Sequence, residues 1–179
     1  MERLSTYDDP LRAARLYAEA FGWRVVPCRK GSKVPAVKEW TRVATTDPNQ
    51  IESWWRGPFA GHGVCIATGD ESNLLVVDVD VANGKQGLQT LQELLRQHGR
   101  DRAVETYTVR TPSGGMHLYL RYPNINGVIR NDAGRKLGPG LDIRAEGGQV
   151  VAPPTPGYAW IDGRAPWELD IDTLPGSLW

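Results

Sequence analysis

The stretch Leu74-Leu75-Val76-Val77-Asp78-Val79-Asp80-Val81 reads as a β-strand, and the rest of the chain is read outward from it. Side chains alternate along a strand, so Leu75, Val77, Val79 and Val81 leave one face while Leu74, Val76, Asp78 and Asp80 leave the other. A strand that begins apolar on both faces is expected to be central and buried. Its far end then places two carboxylates on one face.

Upstream, Asp9 and Pro10 supply a cap and a first helical residue, and Leu11, Ala14, Ala18 and Phe21 recur at helical spacing until Gly22. Trp23 to Pro27 reads as a short strand. Asp47-Pro48-Asn49-Gln50 repeats the start signal, with Gln50 placed for a capping box, and opens a helix carrying Ile51, Trp54 and Trp55 that stops near Gly57. Gly63 to Ala67 reads as another strand. Downstream, Lys85 to His98 predicts a helix with Leu88, Leu91, Leu94 and Leu95 as its stripe. Strands are predicted at Thr106–Arg110, His117–Tyr122, Leu141–Arg144 and Gln149–Ala152, the first two joined as a hairpin through Thr111-Pro112-Ser113-Gly114-Gly115. The expectation is a mixed α/β fold, with helices early and strands late, in one unit spanning residues 1–179.

Composition narrows the class. The chain has 179 residues, 40% apolar and 23% charged, which excludes disordered, collagen-like and coiled-coil chains. No run approaches the roughly 18 apolar residues that span a bilayer. Met1-Glu2-Arg3-Leu4 lacks the basic-then-apolar pattern of a secretory leader. Cys28 and Cys65 are too few for a disulfide framework and lie at the wrong spacing for zinc with the 3 histidines, so two reduced thiols in a cytoplasmic protein are expected. Lys plus Arg and Asp plus Glu each total 21, giving zero formal charge. Nucleic acid gripped over a large surface calls for a basic protein, so any such contact here is local and salt-sensitive.

Three segments carry candidate chemistry. Asp78 and Asp80 place like charges close together, a conflict that a hard divalent cation such as magnesium or manganese removes; the alternative is that the strand has ended and both are solvated. In Ser113-Gly114-Gly115-Met116-His117, two glycines allow close backbone approach and free amides for phosphate oxygens. His117, on one face with Tyr119 and Arg121, can donate to phosphate or simply hold the hairpin. In Gly138-Pro139-Gly140-Leu141-Asp142-Ile143-Arg144, a mid-strand Asp142 needs a partner, either a shared metal or a surface pairing with Arg144. Weaker candidates are the basic loop Arg29, Lys30, Lys33 and Lys38, the stretch Arg130, Arg135 and Lys136 over substrate or template, Arg110, and Thr68-Gly69. Trp54-Trp55 is offered either to bases or to the core. His62 and His98 read as structural. Jointly, three carboxylates and a histidine beside two glycines suggest phosphate transfer.

In this order, Asp78-Val79-Asp80, Thr111-Pro112-Ser113-Gly114-Gly115-Met116-His117-Leu118-Tyr119, and Asp142-Ile143-Arg144 followed by Gly147-Gly148-Gln149-Val150-Val151-Ala152-Pro153-Pro154, the pattern resembles the bifunctional primase–polymerase domain of the archaeo-eukaryotic primase superfamily. Gly22-Trp23-Arg24-Val25-Val26-Pro27, Lys33-Val34-Pro35, Thr46-Asp47-Pro48, Trp54-Trp55 and Tyr158-Ala159-Trp160 extend the resemblance from about Leu11 to Trp160. It implies a catalytic sheet of RNA-recognition-motif topology beside a smaller N-terminal α/β part. It also implies template-directed nucleotidyl transfer with two magnesium or manganese ions, using dNTP or NTP, a DNA template and a primer. By position, Asp78, Asp80 and Asp142 match the catalytic metal-binding acids and His117 the nucleotide-binding histidine; Ser113, Gly114, Gly115, Arg144 and Lys33 are added as nucleotide contacts. No Cys/His cluster of an inserted zinc-bearing stem is present, and the sequence ends at Trp179, before the helical and helicase regions that often follow. Primer extension is therefore the expectation, with primer synthesis open, in a prokaryotic plasmid or phage replicon. The rival classes are a metal-dependent nuclease or phosphohydrolase, a glycosyltransferase, and a non-catalytic nucleotide- or DNA-binding module of a replication complex.

Overall fold

A computed structural model describes residues 9–100 and 103–179; the reading of Met1 to Leu4 lies outside them. Helix α1 (Pro10–Phe21) begins where the Asp9 carboxylate accepts from the Arg12 amide at 2.9 Å, and ends on Gly22 in the left-handed conformation. Strand β1 (Val25–Cys28) leads into a loop and a one-turn helix α2 (Trp40–Val43). In α3 (Pro48–Arg56) Asp47 caps through the Asn49 amide at 3.0 Å, and the capping box expected with Gln50 does not form. Strand β2 (Gly63–Ala67) follows.

β3 (Leu74–Val79) stops two residues short of the expected end. The chain is diverted there because the Asp80 amide donates to Gly140 O at 2.8 Å and Asp80 O accepts from the Gly87 amide at 3.0 Å. Helix α4 (Gly87–Gln97) follows, then β4 (Thr108–Arg110), β5 (Met116–Arg121), a two-residue β6 (Asp132–Ala133), β7 (Leu141–Arg144), β8 (Gln149–Ala152) and β9 (Ala159–Trp160). The short elements α2, β6 and β9 have no signal in the sequence pattern, since two to four residues are too few to show a period.

Among the described residues, nine strands make two antiparallel sheets, ordered β1-β2-β8 and β6-β7-β3-β5-β4-β9. The alternation in β3 sorts its side chains as the sequence requires. Leu75, Val77 and Val79 join Leu118, Leu120, Leu141 and Ile143 under Leu91 and Leu95 of α4. Leu74 and Val76 join Tyr119 and Val109 in a second cluster that continues through β1, β2 and β8 to α1 and α3. β2 is buried at all five positions, so both faces of the small sheet are covered. Trp54 and Trp55 belong to this second cluster, with the Trp55 indole donating to His62 O at 3.0 Å, which settles them as core. Leu88 falls outside the α4 stripe and is 44% exposed. Cys28 and Cys65 are free, buried thiols of the small sheet. Among the described residues, no helix is long and apolar enough to cross a membrane.

Candidate active site

Register builds the site. Asp78 of β3 lies opposite His117 of β5 on one side and Asp142 of β7 on the other. Three chemistry-bearing residues from three distant stretches thus form one row across the sheet, on the face away from α4. A one-residue slip of either neighbour would send its polar member into the apolar cluster under α4, so burial of that cluster fixes the row.

Arg144, two positions along β7, shares this face. Its Nη2 reaches Asp142 Oδ2 at 3.0 Å and Asp78 Oδ2 at 3.4 Å. Burial, together with the Asp80 charge, pushes the Asp78 carboxyl above the ordinary carboxylate range, against the pull of Arg144. Asp142 is raised too, first by burial, with Asp78 and Asp80 adding to it. His117 Nε2 stands 3.6 Å from Asp78 Oδ1. Burial, helped by the Arg144 and Lys33 charges, lowers its pKa to about 4, so the ring is neutral at pH 7. Its buried Nδ1 has no hydrogen-bond partner among the described residues.

The row opens into a cleft of about 320 Å³ lined by Lys33, Trp40, Asp78, His117, Asn131, Arg144, Gly147 to Val151 and Tyr158. Lys33 belongs to the loop after β1, and its carbonyl accepts from Gln149 Nε2 at 2.7 Å, which ties that loop to β8. Asn131 is held by the Ala145 amide, 2.9 Å from its Oδ1. A methyl group at Gly148 would fall on Asn131 Oδ1 and Thr68 Oγ1, so only glycine lets this wall close. A larger hollow, about 440 Å³, runs along the outer side of α4 past Gln92, Glu93 and Arg96 and is remote from the row.

Not every expected site residue reaches the cleft: Asp142 stands in the row opposite Asp78 but is not among the lining residues. Asp80 lies beyond the end of β3 and is paired with Lys85 Nζ at 2.6 Å. Ser113, Gly114 and Gly115 turn the β4–β5 hairpin, where the Thr111 amide donates to Gly115 O at 3.0 Å; Gly114 and Gly115 sit against Val81 and Val79, the Ser113 hydroxyl pairs with that of Thr111 at 3.1 Å, and none of the three lines the cleft. Thr68 is buried with its hydroxyl on Ala145 O at 2.7 Å, and so shapes the 145–148 turn. Arg135 and Lys136 bind Asp132 and the Trp179 carbonyl; they and Arg110 and Arg130 stay out of the cleft lining. The sequence reading gave no site role to Trp40, Asn131, Gln149 or Tyr158. Gly147-Gly148 ahead of an apolar strand is the signal that could have pointed toward this wall, because paired glycines mark close backbone approach.

Hard carboxylate oxygens suit magnesium or manganese. Asp78, Asp80 and Asp142 raise or share one another's burden of negative charge, and the cations neutralising them are the tips of two long side chains, Arg144 and Lys85. Among the described residues, no three or more His, Cys, Asp or Glu are already drawn together as a cation site. The donor chemistry fits a divalent ion once those two side chains yield.

The chain thus brings two carboxylates, a neutral buried histidine and the cations Arg144 and Lys33 together on a mixed α/β fold. The model of the bifunctional DNA primase/polymerase N-terminal family matches residues 14–177, and the chain belongs to that family. Membership makes it a nucleotidyltransferase of the primase/polymerase type, with DNA and nucleotides as substrates. No curated protein matches the chain in sequence.

Proposed function

We propose that the chain extends a primer on a DNA template. The primer 3′-hydroxyl oxygen attacks the α-phosphorus of an incoming nucleoside triphosphate, the bond to the bridging oxygen breaks, and pyrophosphate leaves. The observation that carries this reading is the cross-strand row His117–Asp78–Asp142 with Arg144 against both acids, a row whose His117, Asp78 and Arg144 line the cleft. The strand order β7-β3-β5-β4, with α4 between β3 and β4, supports a sheet of RNA-recognition-motif topology and the archaeo-eukaryotic primase fold.

Asp78 and Asp142, joined by Asp80, would hold magnesium or manganese. Such ions lower the pKa of an attacking hydroxyl and offset charge on the transferring phosphoryl group. The protein's own groups do the rest. Neutral His117 donates a hydrogen bond to a phosphate oxygen without adding charge. Lys33 and Arg144 supply positive charge along the triphosphate, Arg144 exchanging a carboxylate for a phosphate as substrate enters. From the hairpin that carries His117, the Ser113 hydroxyl and the Gly115 backbone amide contribute to the same substrate, while the Gly114 amide stays with Thr111 O and shapes the turn. The anions thus sit in a cleft with low-dielectric walls, where each contact counts for more than it does in water.

The test is extension of a labelled primer on a DNA template with magnesium or manganese. Asp78→Asn is expected to lower extension by roughly 10²–10³-fold or more while the variant stays folded. Shortening of the labelled strand by the unaltered protein, lost in the same variant, would replace this reading with a nuclease. Metal-dependent nucleotide binding without extension would make the chain a binding module.

A further inference from the structure

We propose that Trp40 is the platform on which the base of the bound nucleotide stacks; the inference rests on the nucleotide reading of the cleft. The acids, His117, Arg144 and Lys33 account for the phosphates and leave the planar, weakly polar base without a partner. Trp40 lines the same cleft as those groups. It also lines the small hollow behind it, together with Gly147 and Gly148, so the indole and the two glycines form one shared wall. A methyl group built on Gly147 would meet nothing within 4 Å, which leaves open space over that backbone.

Trp40 and Trp179 differ from the other tryptophans in having no ring neighbour among the described residues, and of the two only Trp40 lines the cleft. Trp23, Trp54, Trp55, Trp160 and Trp167 each have a ring neighbour. Among the described residues, Trp40 has neither a ring neighbour nor a hydrogen bond to its indole nitrogen, and it is only partly buried against the core. Tyr158, the other aromatic side chain in the cleft, is 8% exposed and packs beside His117 at 5.9 Å, at the acidic end.

The short helix that carries Trp40 is tied down through its backbone. Arg24 clamps α2 from below, with Nε donating to Ala44 O at 2.9 Å and Nη2 to Thr41 O at 3.3 Å, and is itself paired with Glu71. An indole carried on an anchored helix accepts all four bases because each has a π-face. That tolerance is what template-directed addition requires of the protein.

The test compares two probes by titration calorimetry in magnesium: dATP and inorganic tripolyphosphate, which has no base. Trp40→Ala is expected to weaken dATP roughly 5- to 100-fold, and dTTP less, while leaving tripolyphosphate unchanged. Trp40→Phe keeps a flat ring, so it should retain most of the dATP affinity and abolish the quenching of indole fluorescence by dATP. Equal weakening of dATP and tripolyphosphate by Trp40→Ala, or no change in either, overturns the inference and leaves the nucleotide reading standing. Failure of the unaltered protein to bind either probe overturns both.

Discussion

Arg144 serves two carboxylates with one guanidinium nitrogen, at 3.0 Å from Asp142 and 3.4 Å from Asp78. Its side chain is 34% exposed and theirs about one-fifth, so solvent screens the pairing and its worth is modest. Arg144→Met is expected to destabilise the metal-free protein by about 1 kcal/mol, a fall of ~2–4 °C in melting temperature. The same melts on Arg144→Met with Asp142→Asn should regain most of the loss, because one uncompensated acid has been removed. Saturating manganese should also narrow the gap, if the acids hold the ion as proposed. At this scale much of the site was legible: an aspartate inside an apolar strand is costly unless partnered, and that made both Asp78 and Asp142 stand out. Asn131, Gln149 and Trp40 carry no such anomaly. A polar or aromatic residue in a loop or at the first position of a short strand or helix is ordinary, and only the placement of that segment gives it a use.

Among the elements, the β4–β5 hairpin matters most, because it sets His117 opposite Asp78. Gly115 backs onto β3 so closely that a methyl group there would fall on the Val79 carbonyl oxygen. Gly115→Ala is expected to cost about 1–3 kcal/mol, since backbone rather than a side-chain tip must give way. At neighbouring Gly114 the nearest atom is Val81 Cγ2 at 3.9 Å, so Gly114→Ala meets only the strain of its φ of 84°. That substitution should cost about 1 kcal/mol. Denaturant midpoints at constant m-value would rank the two, with the larger shift at Gly115. The hairpin itself was readable, as were the ends of β2, β7 and β8, because glycines, prolines and capping residues punctuate them. The end of β3 was not: Val81 continues the local pattern, and the strand is stopped by bonds to Gly140 and Gly87 that no neighbouring residue foretells.

Across the whole molecule, zero formal charge coexists with a local excess of cations. Arg29, Lys30, Lys33 and Lys38 lie in the loop beside the cleft, and none forms an ion pair among the described residues. If these four meet the phosphates of a single strand, log affinity should fall with log salt at a slope of about −3. Replacing Arg29, Lys30 and Lys38 by Gln should flatten that slope to about −1, as fluorescence anisotropy with labelled single-stranded DNA would record. A slope unchanged by the triple replacement would move the template to another face.

The sequence by itself determined the local part of this protein. Period-two alternation identified the strands and assigned Asp78, His117, Asp142 and Arg144 to polar faces, and caps and glycines placed the helix ends, because these depend on neighbours a few residues apart. The ordered motifs were specific enough to resemble the family to which residues 14–177 belong. Tertiary structure alone decided that β3 lies between β5 and β7 in the register that aligns His117, Asp78 and Asp142, because pairing register answers to burial summed over the sheet. It also decided that Asp80 turns aside to Lys85, and that Trp40, Asn131 and Gln149 converge on one cleft. Those outcomes rest on contacts between distant residues, 116 positions apart for Lys33 and Gln149, which hydrophobic periodicity along the chain does not encode.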